Sequence, residues 1–198
     1  MEMPFHKGDP QMLGVPVFVA GSVALGLALA GYLPAGVVGG ALPIILAGTG
    51  LGLLVATIWA IALGQNMVAS IFGVFLGFWW SYPLLVLGLI HGWFGIPAED
   101  VTRSVGIFLI GWLAVILMLT LGSLPLPKVY TLLLVVVDIA LVLILWGTLG
   151  ENADLTKAGG WAVLTFAAIG GYIFVSVMFI GFGFKGLPMG KPMMRVKG

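Results

Sequence analysis

Residues 105–149 read VGIFLIGWLAVILMLTLGSL, then PLPK, then VYTLLLVVVDIALVLILWGTL. Two apolar runs of about twenty residues, parted by a proline-bounded break that carries one lysine, are what two adjacent membrane-crossing helices require. In hydrocarbon each backbone N–H has to find its acceptor within its own segment, and a helix of that length achieves this across the whole apolar layer. Outward from this pair, further runs occupy about 12–33, 37–63, 67–90 and 161–182, making six with 105–124 and 129–149. The runs are continuous rather than alternating, which argues for helices over an outer-membrane barrel. Charged residues make up only 8% of the 198-residue chain, against 61% hydrophobic, and mean hydropathy is +1.22. A water-soluble domain would carry roughly a quarter charged residues. The expected architecture is an all-α integral membrane protein, a bundle of six transmembrane helices forming a single domain over 1–198, with 183–198 as a basic tail.

The second and third runs are long enough to tilt or to hold a break. Connections are short, and only 91–104 and 150–160 approach loop size. Six spans put both termini on one side with the second–third and fourth–fifth connections. That side holds Lys7, Lys128, Lys185, Lys191, Arg195 and Lys197, whereas the other holds Arg103 and Lys157 with Glu99, Asp100, Glu151 and Asp154. The excess of cations predicts cytoplasmic N- and C-termini. Lys7, the apolar stretch after it and Ala28-Leu29-Ala30 superficially fit a cleavable signal, but the stretch is too long and Glu2 and Asp9 precede it; the first run is read as a retained helix.

Glycine is abundant, at 31 residues, and much of it falls inside the runs. Gly48 with Gly52, and Gly73 with Gly77, stand four apart, a spacing that lets helix backbones approach closely in lipid. Tight packing and the lining of a narrow pathway both fit. Enzyme signatures are nearly absent. His6 and His91 have no carboxylate at a catalytic or metal-ligand spacing, there is no cysteine, and no phosphate-cradling loop occurs outside the apolar runs. No metal, cofactor or nucleic-acid partner is expected; the bilayer is.

A few polar positions stand out. Pro10 can start a helix without losing a needed N–H, and Asp9 before it can cap the first-turn donors that would otherwise suit a carboxylate solute. Gln65, Asn66 and Ser70 form a polar cluster where the third helix begins; capping and solute contact both fit Asn66. Phe72, Phe75 and Trp79 share a helical face, and such a stripe is more often core than gate. Asp138 lies mid-span, where a carboxylate is costly and points to function by default. It could relay protons, contact a protonated or amide solute, or bond a neighbouring helix through Thr, Ser, Trp or Tyr.

Two segments resemble a known family. Asp9-Pro10-Gln11-Met12-Leu13-Gly14-Val15 is similar to the Asn-Pro-Ala-Pro-Leu-Gly-Leu signature of the succinate–acetate permease (SatP/YaaH, acetate uptake) family. Gly64-Gln65-Asn66-Met67-Val68-Ala69-Ser70-Ile71-Phe72-Gly73-Val74-Phe75-Leu76-Gly77-Phe78-Trp79 resembles its Gly-Asn-Thr-Phe-Gly-x-Thr-Ala-Phe-x-Ser-Tyr-Gly-x-Phe-Trp stretch. The resemblance implies a plasma (inner) membrane channel or transporter for small monocarboxylates such as acetate, and possibly succinate among its solutes, assembled as a homohexamer with a pathway in each subunit. It implies an apolar constriction from the first, third and fifth helices, which falls on Phe18, Phe75 and, anchored on Gly122-Ser123-Leu124, Val137. Asp9, Pro10, Leu13, Gly14, Gln65, Asn66, Ser70, Phe72 and Asp138 would belong to the pathway. The chain departs from the pattern in having Phe75 for Tyr, in the absence of polar side chains over 23–30, and in lacking a Gln and a Glu from the second helix. A channel for small neutral solutes of urea or amide type, and a non-transporting membrane assembly protein, are the alternatives.

Overall fold

The computed structural model describes residues 7–32 and 39–194. The connection at 34–36, the start of the second run at Val37, His6, Arg195 and Lys197 therefore lie outside the described residues. The helices are α1 (Gln11–Leu29), α2 (Gly52–Ala62), α3 (Asn66–Ile90), α4 (Val101–Gly122), α5 (Lys128–Leu149) and α6 (Ala153–Gly181). A π-helical segment, Ile44–Leu51, runs directly into α2, and a short 3-10 turn, Ala98–Asp100, leads into α4. Counting the π segment with α2, all six spans are long and apolar enough to cross a membrane.

Helix starts depart from the apolar runs where polar residues belong to the helix. Hydropathy places the last span from residue 161, yet α6 begins eight residues earlier. The Asn152 side chain accepts from the N–H groups of Asp154 and Leu155 at 3.0 and 3.1 Å, satisfying donors that a helix start leaves open. The polar stretch 153–160 is thus two turns of helix rather than loop. The second span contains the break its length allows. Its π segment widens the helix, and two side chains serve carbonyls there: Thr49 Oγ1 donates to Val17 O of α1 (2.8 Å), and Trp80 Nε1 of α3 donates to Leu46 O (3.2 Å). Prolines inside α1 (Pro16) and α3 (Pro83) remove one internal bond each.

Packing is ordered around α6, which lies between α1 and α5; α4 packs on α5, and α2 on α3. Small residues set these distances. A Cβ on Gly160 would lie 2.7 Å from the Leu29 carbonyl carbon and 2.9 Å from Leu29 Cβ, and one on Gly159 would meet the Ala140 carbonyl oxygen at 3.3 Å. Of the expected glycine pairs, Gly52 packs on Val17 and Gly77 on Trp112. Gly73 makes only an ordinary contact with Thr57, and Gly48 faces outward with nothing against it.

The residues after α6, read in the sequence as a basic tail, lie folded back on the bundle. Leu187 N–H donates to Ser176 Oγ (3.0 Å), Tyr172 O–H to Pro188 O (2.9 Å), Val129 N–H to Met189 O (3.1 Å), and Met193 and Met194 N–H to Leu124 O (3.0 Å each). This strap ties α6 to the α4–α5 connection.

The glycine contacts make a sharp prediction. Gly160→Ala should destabilise the protein by about 1–3 kcal/mol, because backbone atoms cannot yield to the added carbon. Gly171→Ala, where an added Cβ would meet nothing within 4 Å, should be neutral or gain up to about 1 kcal/mol of helix propensity. Thermal unfolding in detergent of the two variants checks this, and equal midpoints would contradict it.

Candidate functional site

At the end of the bundle where α1 begins, α1, α3, α5, α6 and the α4–α5 connection enclose a cavity of about 260 Å³. Its wall is Val15 and Phe18 of α1, Met67, Val68, Ile71, Phe72 and Phe75 of α3, Leu126 and Pro127, Leu133 and Leu134 of α5, and Ile173 of α6, with Gln11 and Tyr130 as its polar members. Deeper in the bundle lies a smaller cavity of about 30 Å³, bounded by Phe75, Phe78 and Trp79, by Val137 and Leu141 of α5, and by Phe166 of α6, among others. Phe75 faces both. Its ring stands edge-on to Phe18 with centroids 4.7 Å apart; Phe18 in turn lies 5.7 Å from Phe166 and 6.1 Å from Trp79. Phe18, Phe75, Phe166, Leu134 and Val137 are all buried. The wall between the cavities is therefore a plug of interlocked rings whose one polar atom, Trp79 Nε1, is buried and has no hydrogen-bond partner among the described residues.

Phe18 and Phe75 are in direct contact, and Phe72 lines the larger cavity, its ring filling the space where Gly14 has no side chain. Pro10 is buried and its carbonyl accepts from Gly14 N–H at 2.9 Å, while Leu13 packs into the core beside the cavity. Val137 borders the smaller cavity; Leu134, one helical turn earlier, borders the larger one with Phe18 and Phe75. Gln65, Asn66 and Ser70 do not reach the cavity wall. Asn66 and Ser70 are exposed, and the α3 start has no side-chain cap.

Most of the wall escapes sequence reasoning, Phe166, Leu134, Gln11 and Tyr130 included. Phe166 and Leu134 stand in uniformly apolar runs, where no pattern separates a pore-facing position from a packed one. Gln11 and Tyr130 do carry a signal, as polar side chains in the first turns of α1 and α5. Tyr130 O–H donates to Gln11 Oε1, and Asp9 lies behind the pair: its Oδ1 accepts from Gln11 N–H (2.9 Å) and its Oδ2 from Gln11 Nε2 (3.4 Å). Asp9 thus occupies donors at the start of α1, as capping requires.

Asp138 lines neither cavity. Its Oδ2 accepts from Thr120 Oγ1 of α4 at 2.7 Å, and that hydroxyl also lies 3.0 Å from Ile116 O. The polar spine continues through Ser123, whose hydroxyl donates to Thr120 O (2.7 Å), and Thr131, whose hydroxyl donates to Ser123 O (3.0 Å). These side chains are all buried and lace α4 to α5. Asp138 Oδ1 and Trp79 Nε1 have no hydrogen-bond partner among the described residues. No group of three or more His, Asp or Glu among them is placed to hold a metal.

Fold and site together define a multi-pass helical membrane protein that encloses two apolar chambers separated by an aromatic plug. The chain belongs to the GPR1/FUN34/yaaH family, whose model matches residues 2–181. Among solved structures it is similar to the one titled "Structure of the bacterial acetate channel SatP", with a TM-score of 0.82, 22% identity, and coverage of 93% of this chain and 99% of that one. Accumulation of dyads protein 2 of Saccharomyces cerevisiae is 27% identical over 129 residues, 62% of this chain. The chain spans less than half of that relative, 44% of its length.

The lacing of Asp138 to α4 generates a second prediction. Asp138→Asn retains an acceptor for Thr120 and should keep thermal stability within about 0.5 kcal/mol. Asp138→Leu should lose roughly 1 kcal/mol, the scale of interhelical hydrogen bonds in membranes. Because the residue lies off both cavities, Asp138→Asn should also leave the pH profile of solute uptake unchanged; a shifted profile would make it part of the pathway.

Proposed function

We propose that this protein is a channel or carrier for small monocarboxylates such as acetate, each subunit moving solute through its own chambers and past the Phe18–Phe75 contact. Family membership and a fold shared with a structure titled as an acetate channel support this reading. The observation that carries it is the plug itself. A chamber of about 260 Å³ suits a solute of a few heavy atoms, and it ends on rings that can part by small rotations. Such an apolar constriction passes small, weakly hydrated solutes and holds back ions by dewetting. Phe18 and Phe75, with Val137 or Leu134 from α5, form the constriction, and Asp9, Pro10 and Gly14 shape the approach from α1. Positive charges at the α1-start end favour cytoplasmic termini and a plasma-membrane setting, and outward-facing apolar surfaces such as Ile107, Met118 and Leu121 of α4 suit lipid or the neighbouring subunits of a hexamer.

A second reading, a channel for small neutral solutes such as urea, is favoured by one specific observation: no charged side chain lines either chamber. Labelled acetate and labelled urea, offered in parallel to proteoliposomes at about pH 5.5 and 7.5, either side of the ordinary histidine range, separate the two. Acetate uptake above that of empty vesicles supports the first; urea flux alone supports the second; neither, from folded protein, leaves a non-transporting role. Within the first reading, Phe75→Ala should change acetate flux roughly tenfold, the scale of about 1.4 kcal/mol on a barrier. Phe78→Ala, whose ring borders only the smaller chamber and packs against Tyr82, Phe108 and Trp112, should change it less. Equal effects would reduce Phe75 to simple packing.

A further inference from the structure

The mouth of the larger chamber is bridged. Gln11 sits at the start of α1 and Tyr130 at the start of α5, and these two helices do not pack on each other because α6 stands between them. The Tyr130–Gln11 hydrogen bond therefore crosses the opening rather than stapling two packed surfaces. The orientation of the bridging amide is fixed from behind. Asp9 Oδ2 accepts from Gln11 Nε2, and Asp9 Oδ1 accepts from the Gln11 backbone N–H. With its N–H side turned toward the carboxylate, the amide presents its oxygen to the tyrosine.

We propose that Asp9, Gln11 and Tyr130 form a selectivity latch that admits the uncharged carboxylic acid and turns away the carboxylate. This rests on the transport reading above and names the species transported. A primary amide carries one acceptor oxygen and two donor hydrogens, and a neutral carboxyl carries one acceptor and one donor. The two heads can therefore pair in a ring of two hydrogen bonds, the solute O–H going to Gln11 Oε1 and its carbonyl accepting from Gln11 Nε2. Tyr130 O–H, displaced from Gln11, turns to the same solute carbonyl. A carboxylate has acceptors only. Against Gln11 it would set one anionic oxygen facing Oε1, with the Asp9 charge directly behind the amide, and like charges at that range in a partly buried site repel strongly. Nothing deeper compensates. The wall beyond the latch offers no cation, the Phe18 and Phe75 rings offer no donor, and the Trp79 N–H beside them is buried and off the wall of the larger chamber, so an anion would shed its water without replacement. Lys7, Lys128, Lys185 and, on the strap, Lys191 are the cations on this side of the bundle among the described residues; all are exposed and lie outside the chamber wall.

Acetamide supplies the test, since it copies the shape and hydrogen-bonding head of the neutral acid and cannot ionise. In proteoliposomes of the full chain, with uptake into empty vesicles subtracted, acetamide should compete with labelled acetate. A potassium–valinomycin potential of 100 mV should leave final acetate accumulation unchanged. Movement of the anion would instead shift accumulation by about 50-fold across that potential. Asp9→Asn keeps an oxygen to accept from Gln11 N–H while removing the charge. It should raise acetate uptake at about pH 7.5, near neutrality, severalfold and bring in dependence on potential. Potential-driven acetate accumulation by the unaltered protein, or acetamide that does not compete, overturns the latch and leaves transport standing. Absence of any acetate or acetamide uptake from folded protein sinks the transport reading itself.

Discussion

The close approach of α6 to α1 and α5 is the constraint on which the rest of the structure depends. Lipid tails are as apolar as leucine, so helices in a bilayer gain nothing from mere hydrophobicity and must gain from contact. Gly159 and Gly160 supply it: their bare α-carbons let α6 lie against Leu29 on one side and Ala140 and Ile144 on the other. That wedge fixes how far apart α1 and α5 stand. Toward the start of α1 the larger chamber lies between α1 and α5, closed by α3 and with Ile173 of α6 on its wall. Chamber and packing seam are two consequences of one spacing.

Within that spacing the polar atoms are sorted by cost. Buried hydroxyls and the Asp138 carboxyl are gathered into the α4–α5 seam, where Thr120, Ser123 and Thr131 engage each other and nearby carbonyls. Thr49 and Trp80 similarly serve carbonyls around the π segment. The chamber wall is left to hydrocarbon and aromatic rings, with polarity only at the rim. Such a separation keeps the seams rigid, because each polar contact there would be expensive to open in a low-dielectric interior. The ring plug, held by edge-on contacts worth only about 0.5–1.5 kcal/mol each, is the part of the bundle that can rearrange cheaply.

The six spans and their helical nature were legible from the sequence because hydrocarbon imposes one dominant demand, a long apolar run, and the runs are unmistakable. Phe18 and Phe75 were singled out by motif position alone, and their rings lie in contact. What escaped has physical causes. The first two turns of α6 are polar, and hydropathy registers partition into lipid rather than helicity, so the Asn152 cap was invisible to it. Leu134 and Phe166 lie in runs where every residue is apolar and periodicity cannot tell lipid, seam and chamber apart. Gln65, Asn66 and Ser70 gave a polar signal that reflects exposure at a helix start, whereas Gln11, not among the site residues that the sequence suggested, bonds Tyr130 at the chamber wall. Asp138 had hydrogen bonding to a neighbouring helix among its expected roles, and Thr120 is that neighbour.

The strap of residues 187–194 has a consequence in time. Val129, in the first turn of α5, gives its N–H to Met189, and Leu124, two residues before the chamber-lining Leu126, takes bonds from Met193 and Met194. The ribosome delivers these partners only after the six described spans have been made. Until then the α4–α5 turn lacks the contacts that hold it beside the opening. The six-helix bundle can thus be inserted and packed while one edge of its mouth is still unset, and the stretch that follows α6 in synthesis is the one that completes the rim.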